Sequence, residues 1–108
     1  MLLLTTRGHR TGAEHTVPLL YLDDSPRLVV VASYGGRPRN PTWYDNLVAR
    51  PQVTVQIGNR RRTMRARTAN TQERAVWWPR ILAAYDGYRQ YQERTEREIP
   101  VVFLEPVD

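Results

Sequence analysis

The sequence predicts a mainly β protein, a small barrel of about six strands with two or three inserted helices, on three observations. Short apolar or alternating runs bounded by turn residues recur from Leu2 to Leu104. Two stretches, after Asn40 and after Asn70, switch to helical spacing behind residues suited to cap a helix. No internal repeat or low-complexity linker divides the 108 residues, so residues 1–108 read as a single domain large enough to build its own core.

The elements follow in order. Leu2 to Leu4 begins a strand, and TTRGHRTGAE (Thr5 to Glu14) turns it back as a basic hairpin in which Gly8 and Gly12 bracket His9, Arg10 and Thr11. Gly12 leads into a strand, whereas a phosphate-binding loop would open a helix with Gly-Lys-Ser/Thr, so that motif is excluded. Thr16 to Leu22 is the second strand, where Pro18 marks a start, a bulge or an edge. Asp24-Ser25-Pro26 then turns the chain. Leu28 to Ala32 is continuously apolar and rich in β-branched residues, the pattern of a strand buried on both faces.

Ser33, Tyr34, Gly35 and Gly36 follow this strand, and the paired glycines permit positive φ and a close approach to the backbone, by a ligand or within a turn. Asn40 is expected to cap a helix with Pro41 as its first residue, continuing through Trp43 to Ala49 and stopping before Pro51. Gln52 to Ile57 alternates as a half-buried strand. Gly58-Asn59 turns it into Arg60 to Ala69, with Met64 and Ala66 on one face and Thr63, Arg65 and Arg67 on the other. Asn70 and Glu73 form a capping pair for a helix carrying Trp77, Ile81, Ala84, Tyr85 and Tyr88, which Pro79 either starts or kinks. Tyr85, Tyr88 and Tyr91 recur every three residues, as core aromatics or as a functional cluster. Glu98 to Leu104 is the last strand.

Composition removes several chemistries. With no cysteine, disulfides, thiolate catalysis and cysteine-ligated metals are excluded. The only histidines, His9 and His15, sit six residues apart without paired carboxylates, so no metal site is expected. Ser33 lies in Val-Ala-Ser-Tyr-Gly, which lacks the first glycine of a nucleophile elbow. No stretch is long enough to span a membrane, and a cytoplasmic protein is expected. All sixteen basic residues are arginine against eleven acidic ones, a balance of +5 that favours an acidic ligand. A barrel binding single-stranded nucleic acid through Arg60, Arg61, Arg62, Arg65 and Arg67 would account for the charge. It leaves the glycine turn and the tyrosine triplet unexplained, and no nucleic-acid partner is expected.

The blocks LLLTTRGHRTG, TVPLLYL, VVVASYGGRPRNPTWYDNL and AAYDGYRQYQERTEREIPVVFLEP, in this order, resemble the deazaflavin (F420)-dependent nitroreductase family over nearly the whole chain. The resemblance implies a split β-barrel related to the FMN-binding, pyridoxamine 5'-phosphate oxidase-like fold. It implies reduced coenzyme F420 as hydride donor and an electrophilic small molecule (a nitroaromatic, quinone or enone) as acceptor. By position, His9, Arg10 and His15 fall where the family meets the coenzyme's acidic tail, with His15 where arginine is usual. Ala32, Ser33, Tyr34, Gly35 and Gly36 match the turn that lies along the deazaflavin, and Trp43 matches an aromatic that covers it. Tyr85, Tyr88 and Tyr91 match tyrosines on the substrate side, with Tyr88, then Ser33, as candidate catalytic donors. A split-barrel protein binding FMN or haem is the nearer alternative, a homodimer is compatible, and the family's usual N-terminal segment is expected to be missing here.

Overall fold

A computed structural model describes residues 1–107. Among these described residues, seven strands form one antiparallel sheet in the order β2-β1-β5-β6-β7-β4-β3, curled into a half-barrel. The strands are β1 (Leu2–Arg7), β2 (Glu14–Leu19), β3 (Leu22–Asp24), β4 (Arg27–Val31), β5 (Gln52–Ile57), β6 (Arg60–Thr68) and β7 (Val101–Pro106). Helix α1 (Thr42–Ala49) lies between β4 and β5, while α2 (Thr71–Ala84) and α3 (Gly87–Glu93) lie between β6 and β7. The expected six strands are seven because Thr16 to Leu22 breaks at Leu20 and Tyr21 into β2 and β3, which become the two free edges of the sheet. Pro18, paired with Leu3 on edge strand β2, costs no ladder bond on its open side.

Two apolar clusters meet across β4 and β7. Leu28 and Val30 of β4 and Val102 and Leu104 of β7 face the barrel interior with Leu2, Leu4, Val55 and Met64, closed by Leu47 of α1. Their neighbours Val29, Val31, Val101 and Phe103 face the other way, against Trp77 and Ile81 of α2 and Tyr88 of α3. A strand with a core on each face must be apolar throughout, which is why β4 reads as an unbroken hydrophobic run. Because both clusters grip β4, the chain leaving its end is held on a rigid base.

Helix starts separate cleanly by cause. Asn70 caps α2 as expected: its side chain accepts from the Glu73 N–H while the Glu73 carboxylate accepts from the Asn70 N–H. Helix α2 runs through Pro79 from this cap, so the proline does not mark its start. Asn40, by contrast, caps nothing. Pro41 is the N-cap residue of α1, and the Asn40 amide oxygen accepts instead from Arg97 Nη1 at 2.7 Å. A charged donor from 57 residues away outcompetes the local N–H groups. The expected single helix through Tyr88 is also two helices, since Tyr85 leaves helical geometry and Asp86-Gly87 restarts the chain as α3.

Candidate active site

The turn after β4 has unusual backbone geometry. Ser33 is right-handed helical (φ −75°, ψ −39°), and then Tyr34, Gly35 and Gly36 take φ of 48°, 63° and 79°. For glycine this is free, whereas Tyr34 bears about 1–2 kcal/mol for a left-handed conformation. The Tyr34 ring stacks under the Arg37 guanidinium at 4.6 Å, and its hydroxyl accepts from Arg37 Nη1 at 3.2 Å, contacts that help hold it there. The two glycines serve different ends. A Cβ on Gly36 would lie 2.5 Å from the Tyr91 carbonyl oxygen of α3, so this glycine lets the turn and helix touch. A Cβ on Gly35 would meet nothing within 4 Å, leaving that side open.

Arg97, which sequence reasoning missed, clamps the turn from behind. Its guanidinium donates to the carbonyl oxygens of Ser33 (2.6 Å), Arg37 (2.9 Å) and Ala32 (3.3 Å) and to Asn40 Oδ1. Burial pushes its pKa below the ordinary arginine value, a cost offset by these four acceptors. Gln92 of α3 anchors the loop that carries it, donating to the Arg97 carbonyl at 2.8 Å while accepting from Arg74 Nη2 and the Ile99 N–H, both at 3.0 Å. The turn and helix α3 therefore share one polar frame. Nothing local in the sequence marks Arg97, because its partners lie 57 to 65 positions away.

Two cavities adjoin this turn. A groove of about 590 Å³ is lined by His15, Val17 and Leu19 of the β2 edge, by Tyr34, and by Pro41, Trp43 and Asn46 at α1. A cavity of about 430 Å³ is lined by Ser33, Gly35, Leu20, Tyr85, Tyr88 and Tyr91. Consecutive residues, Ser33-Tyr34-Gly35 and Leu19-Leu20, thus contribute to both. The structure therefore brings the tyrosine triplet together with Ser33 and Gly35, and His15, Tyr34 and Trp43 with one another. Ala32 and Gly36 are buried and line neither space.

In the smaller cavity the three tyrosines form an edge-to-face chain, with ring centroids 6.2 Å (Tyr85–Tyr88) and 5.9 Å (Tyr88–Tyr91) apart. Such pairs fix ring orientation. Tyr88 is buried in the helix-side core, and burial, reinforced by Tyr85 and Tyr91, raises its phenol pKa above the ordinary value. Among the described residues no buried side-chain nitrogen or oxygen lacks a partner. The Tyr88 hydroxyl, which has no hydrogen-bond partner among the described residues, is therefore not sealed in the core, and Tyr88 lines the cavity.

The basic hairpin is arranged differently from its even charge in sequence. His9, though exposed, is tethered to α1: its backbone N–H donates to Asn46 Oδ1 at 3.1 Å and its Nδ1 lies 2.8 Å from the same oxygen. Since the backbone N–H must find an acceptor there, the amide oxygen faces His9, and Nδ1 carries the ring proton. Asn46, fully buried, completes its bonding by donating to Thr6 Oγ1 at 3.1 Å. Asn46 is the second residue the sequence reading missed. Arg10 is exposed at the hairpin tip, and neither it nor His9 lines the groove.

The F420H(2)-dependent quinone reductase family profile matches residues 1–106. A Mycobacterium tuberculosis protein described as an F420H(2)-dependent quinone reductase is 45% identical over 97% of this chain and 88% of its own length. A solved F420-H2 dependent reductase (FDR-A) superposes with TM-score 0.86 at 39% identity, over 96% of this chain and 92% of that one. A structure described as a domain-swapped dimer also gives TM-score 0.86 at 39% identity, over 96% and 78%. At the level of fold alone, a Listeria innocua protein described as a pyridoxamine 5'-phosphate oxidase gives TM-score 0.68 at 14% identity, over 99% and 83%.

Proposed function

This chain belongs to the F420H(2)-dependent quinone reductase family, a family of oxidoreductases, and on that premise we propose that it transfers hydride from reduced coenzyme F420 to a quinone. The observation that carries the reading is the pair of cavities sharing the Ser33–Gly35 wall, one for a long planar donor and one for a small acceptor. The residues present fit the coenzyme. The groove between Trp43 and the β2 edge is apolar along its walls, wide enough for a flat ring beside Tyr34 of the turn, while the open side of Gly35 faces the acceptor cavity. Two basic groups adjoin the groove, His15 in its lining and the Arg37 guanidinium stacked on the Tyr34 ring.

Reduced deazaflavin supplies two electrons as hydride, which needs neither a metal nor an acid to generate the donor. The protein's own residues then have four tasks. Trp43 and Tyr34 flank the donor groove and hold the ring against the turn, a matter of orientation more than of bond-making. Tyr85 and Tyr91 wall the acceptor cavity and limit water. Tyr88, kept protonated by its burial, donates a hydrogen bond to the oxygen on which charge develops and can release its proton there, with the Ser33 hydroxyl as the second donor. Arg10 and His15 bind the coenzyme's tail from the hairpin, and His9 contributes by holding that hairpin on Asn46.

Nitroaromatics and enones develop the same negative oxygen, so they are included as acceptors. Self-association is proposed on the likeness to the domain-swapped dimer. The test is anaerobic oxidation of F420H2 by the purified protein with a soluble quinone, a nitroaromatic and an enone offered in turn. Quinone-dependent oxidation is expected, whereas no turnover with any of the three would refute the reading.

A further inference from the structure

We propose that Arg97 is the positioning residue of this site, shaping the turn so that the backbone N–H groups of Ser33, Tyr34 and Gly35 form a nest for an electron-rich oxygen. The inference rests on the hydride-transfer reading above and deepens it. The carbonyls of Ala32, Ser33 and Tyr34 are engaged within the protein. Ala32 O and Ser33 O accept from Arg97, Ser33 O also accepts from the Gly36 N–H, and Tyr34 O accepts from the Arg37 N–H. Among the described residues, by contrast, no acceptor meets the N–H of Ser33, Tyr34 or Gly35. Backbone donors are rarely left open without water or a ligand to take them.

A right-handed residue followed by left-handed ones turns successive N–H groups toward one concavity, and such nests bind anions. The three residues concerned are those that line the two cavities. Arg97 strengthens the nest twice over. Its fork holds carbonyl oxygens 32 and 33 away from the ligand side, and its charge sits behind the peptide groups without a carboxylate to cancel it, since no ion pair among the described residues includes it. The Gln92 link then fixes the nest relative to α3 and hence to Tyr88 and Tyr91.

The oxygen could belong to the coenzyme ring or to the acceptor being reduced, and two measurements separate these. Arg97→Met is titrated with oxidised F420 for its Kd, and assayed for kcat and KM with a quinone at saturating F420H2. A rise in F420 Kd of about tenfold or more, the scale of one lost charge-assisted hydrogen bond, assigns the nest to the coenzyme. An unchanged Kd with kcat/KM for the quinone reduced to the same extent assigns it to the acceptor. Arg97→Lys keeps the charge but cannot span four acceptors, so it is expected to restore part of the loss.

The bound chromophore separates this role from a purely structural one. The 8-hydroxyl of saturating oxidised F420 should titrate at higher pH in Arg97→Met than in wild type, and at the wild-type midpoint in Arg97→Lys. Asn40→Ala removes one partner of Arg97 without touching the nest, and keeps the test available should Arg97→Met fail to fold; the same shifts are expected at smaller size. Wild-type binding and kinetics in these variants would overturn the inference while leaving the F420 reading intact. Absence of F420 binding by the wild-type protein would instead overturn the reading on which it rests.

Discussion

Substituting the two neighbouring glycines with alanine should separate stability from binding. At Gly36 the new methyl would stand 2.5 Å from Tyr91 O, 3.0 Å from Tyr91 Cα and 3.0 Å from Arg94 Cβ, with φ at +79°. The left-handed backbone contributes about 1–2 kcal/mol and the forced displacement of packed groups about 1–3 kcal/mol, giving a loss of about 2–5 kcal/mol. For a domain of this size that lowers the melting temperature by roughly 8–20 °C. The atoms that must move are backbone of α3, so the relief available is a shift of the helix that carries Tyr88 and Tyr91, and catalysis should fall with stability. At Gly35 the φ of +63° carries the same backbone penalty, but the methyl meets no protein atom within 4 Å. Gly35→Ala should therefore melt only about 4–8 °C lower. Gly35 lines the acceptor cavity, so acceptor binding should suffer more than folding. The assay is thermal unfolding of each variant beside the KM and kcat for a quinone at saturating F420H2. Gly36→Ala melting within a degree or two of wild type would refute the packing argument, and Gly35→Ala turning over the quinone with wild-type kcat/KM would refute the acceptor's approach along this backbone.

Four further outcomes follow from single residues. Tyr88→Phe removes the cavity-facing hydroxyl and should lower kcat by roughly a hundredfold with little change in KM, while wild-type kcat remains the result that contradicts the assignment. Because burial raises the Tyr88 pKa, wild-type activity should hold up to the ordinary phenol value of about 10 and decline only above it; a decline below that pH assigned to this group would count against it. Asn46→Leu strands the His9 N–H and the Thr6 hydroxyl and should cost about 2–3 kcal/mol in urea unfolding, with the account failing if the change is under about 0.5 kcal/mol. The Glu73 carboxyl is pulled down to about 2 by Arg67 and the Asn70 N–H. A depressed carboxylate stabilises the fold above its unfolded value, near 4.5, and that contribution is lost as pH falls toward 2. Glu73→Gln should thus be less stable than wild type at pH 7 by at most about 1 kcal/mol, its pair being partly exposed, and the gap should close by about pH 2. A gap that persists there would contradict the linkage.

The elements set by local pattern were legible in the sequence. The unbroken Leu28–Ala32 run reports a strand with a core on each side, the Gly58-Asn59 pair reports the β5–β6 hairpin, and Asn70 with Glu73 reports a capping box. What the sequence withheld were partnerships made across the chain. Asn40 looks like a cap until Arg97, far along the chain, claims its oxygen, and Arg97 itself stands among polar residues with no pattern around it. Asn46 reads as an ordinary helix residue, though its bonds to His9 and Thr6 bury it completely. The strand break at Leu20 and Tyr21 was hidden for a related reason: alternation predicts strand wherever it occurs, but sheet curvature decides where pairing stops. The spacing predicted one helix carrying Trp77 through Tyr88, whereas the break before Gly87 seats Tyr88 and Tyr91 on a separate helix against the turn.

The most direct test of the central claim is an equilibrium titration of the purified protein with oxidised F420 and, in parallel, with FMN. Saturable F420 binding at micromolar concentration or tighter is predicted, weakened by Arg10→Ala at the hairpin, with FMN bound much more weakly. FMN binding tighter than F420, or no F420 binding at all, would contradict it.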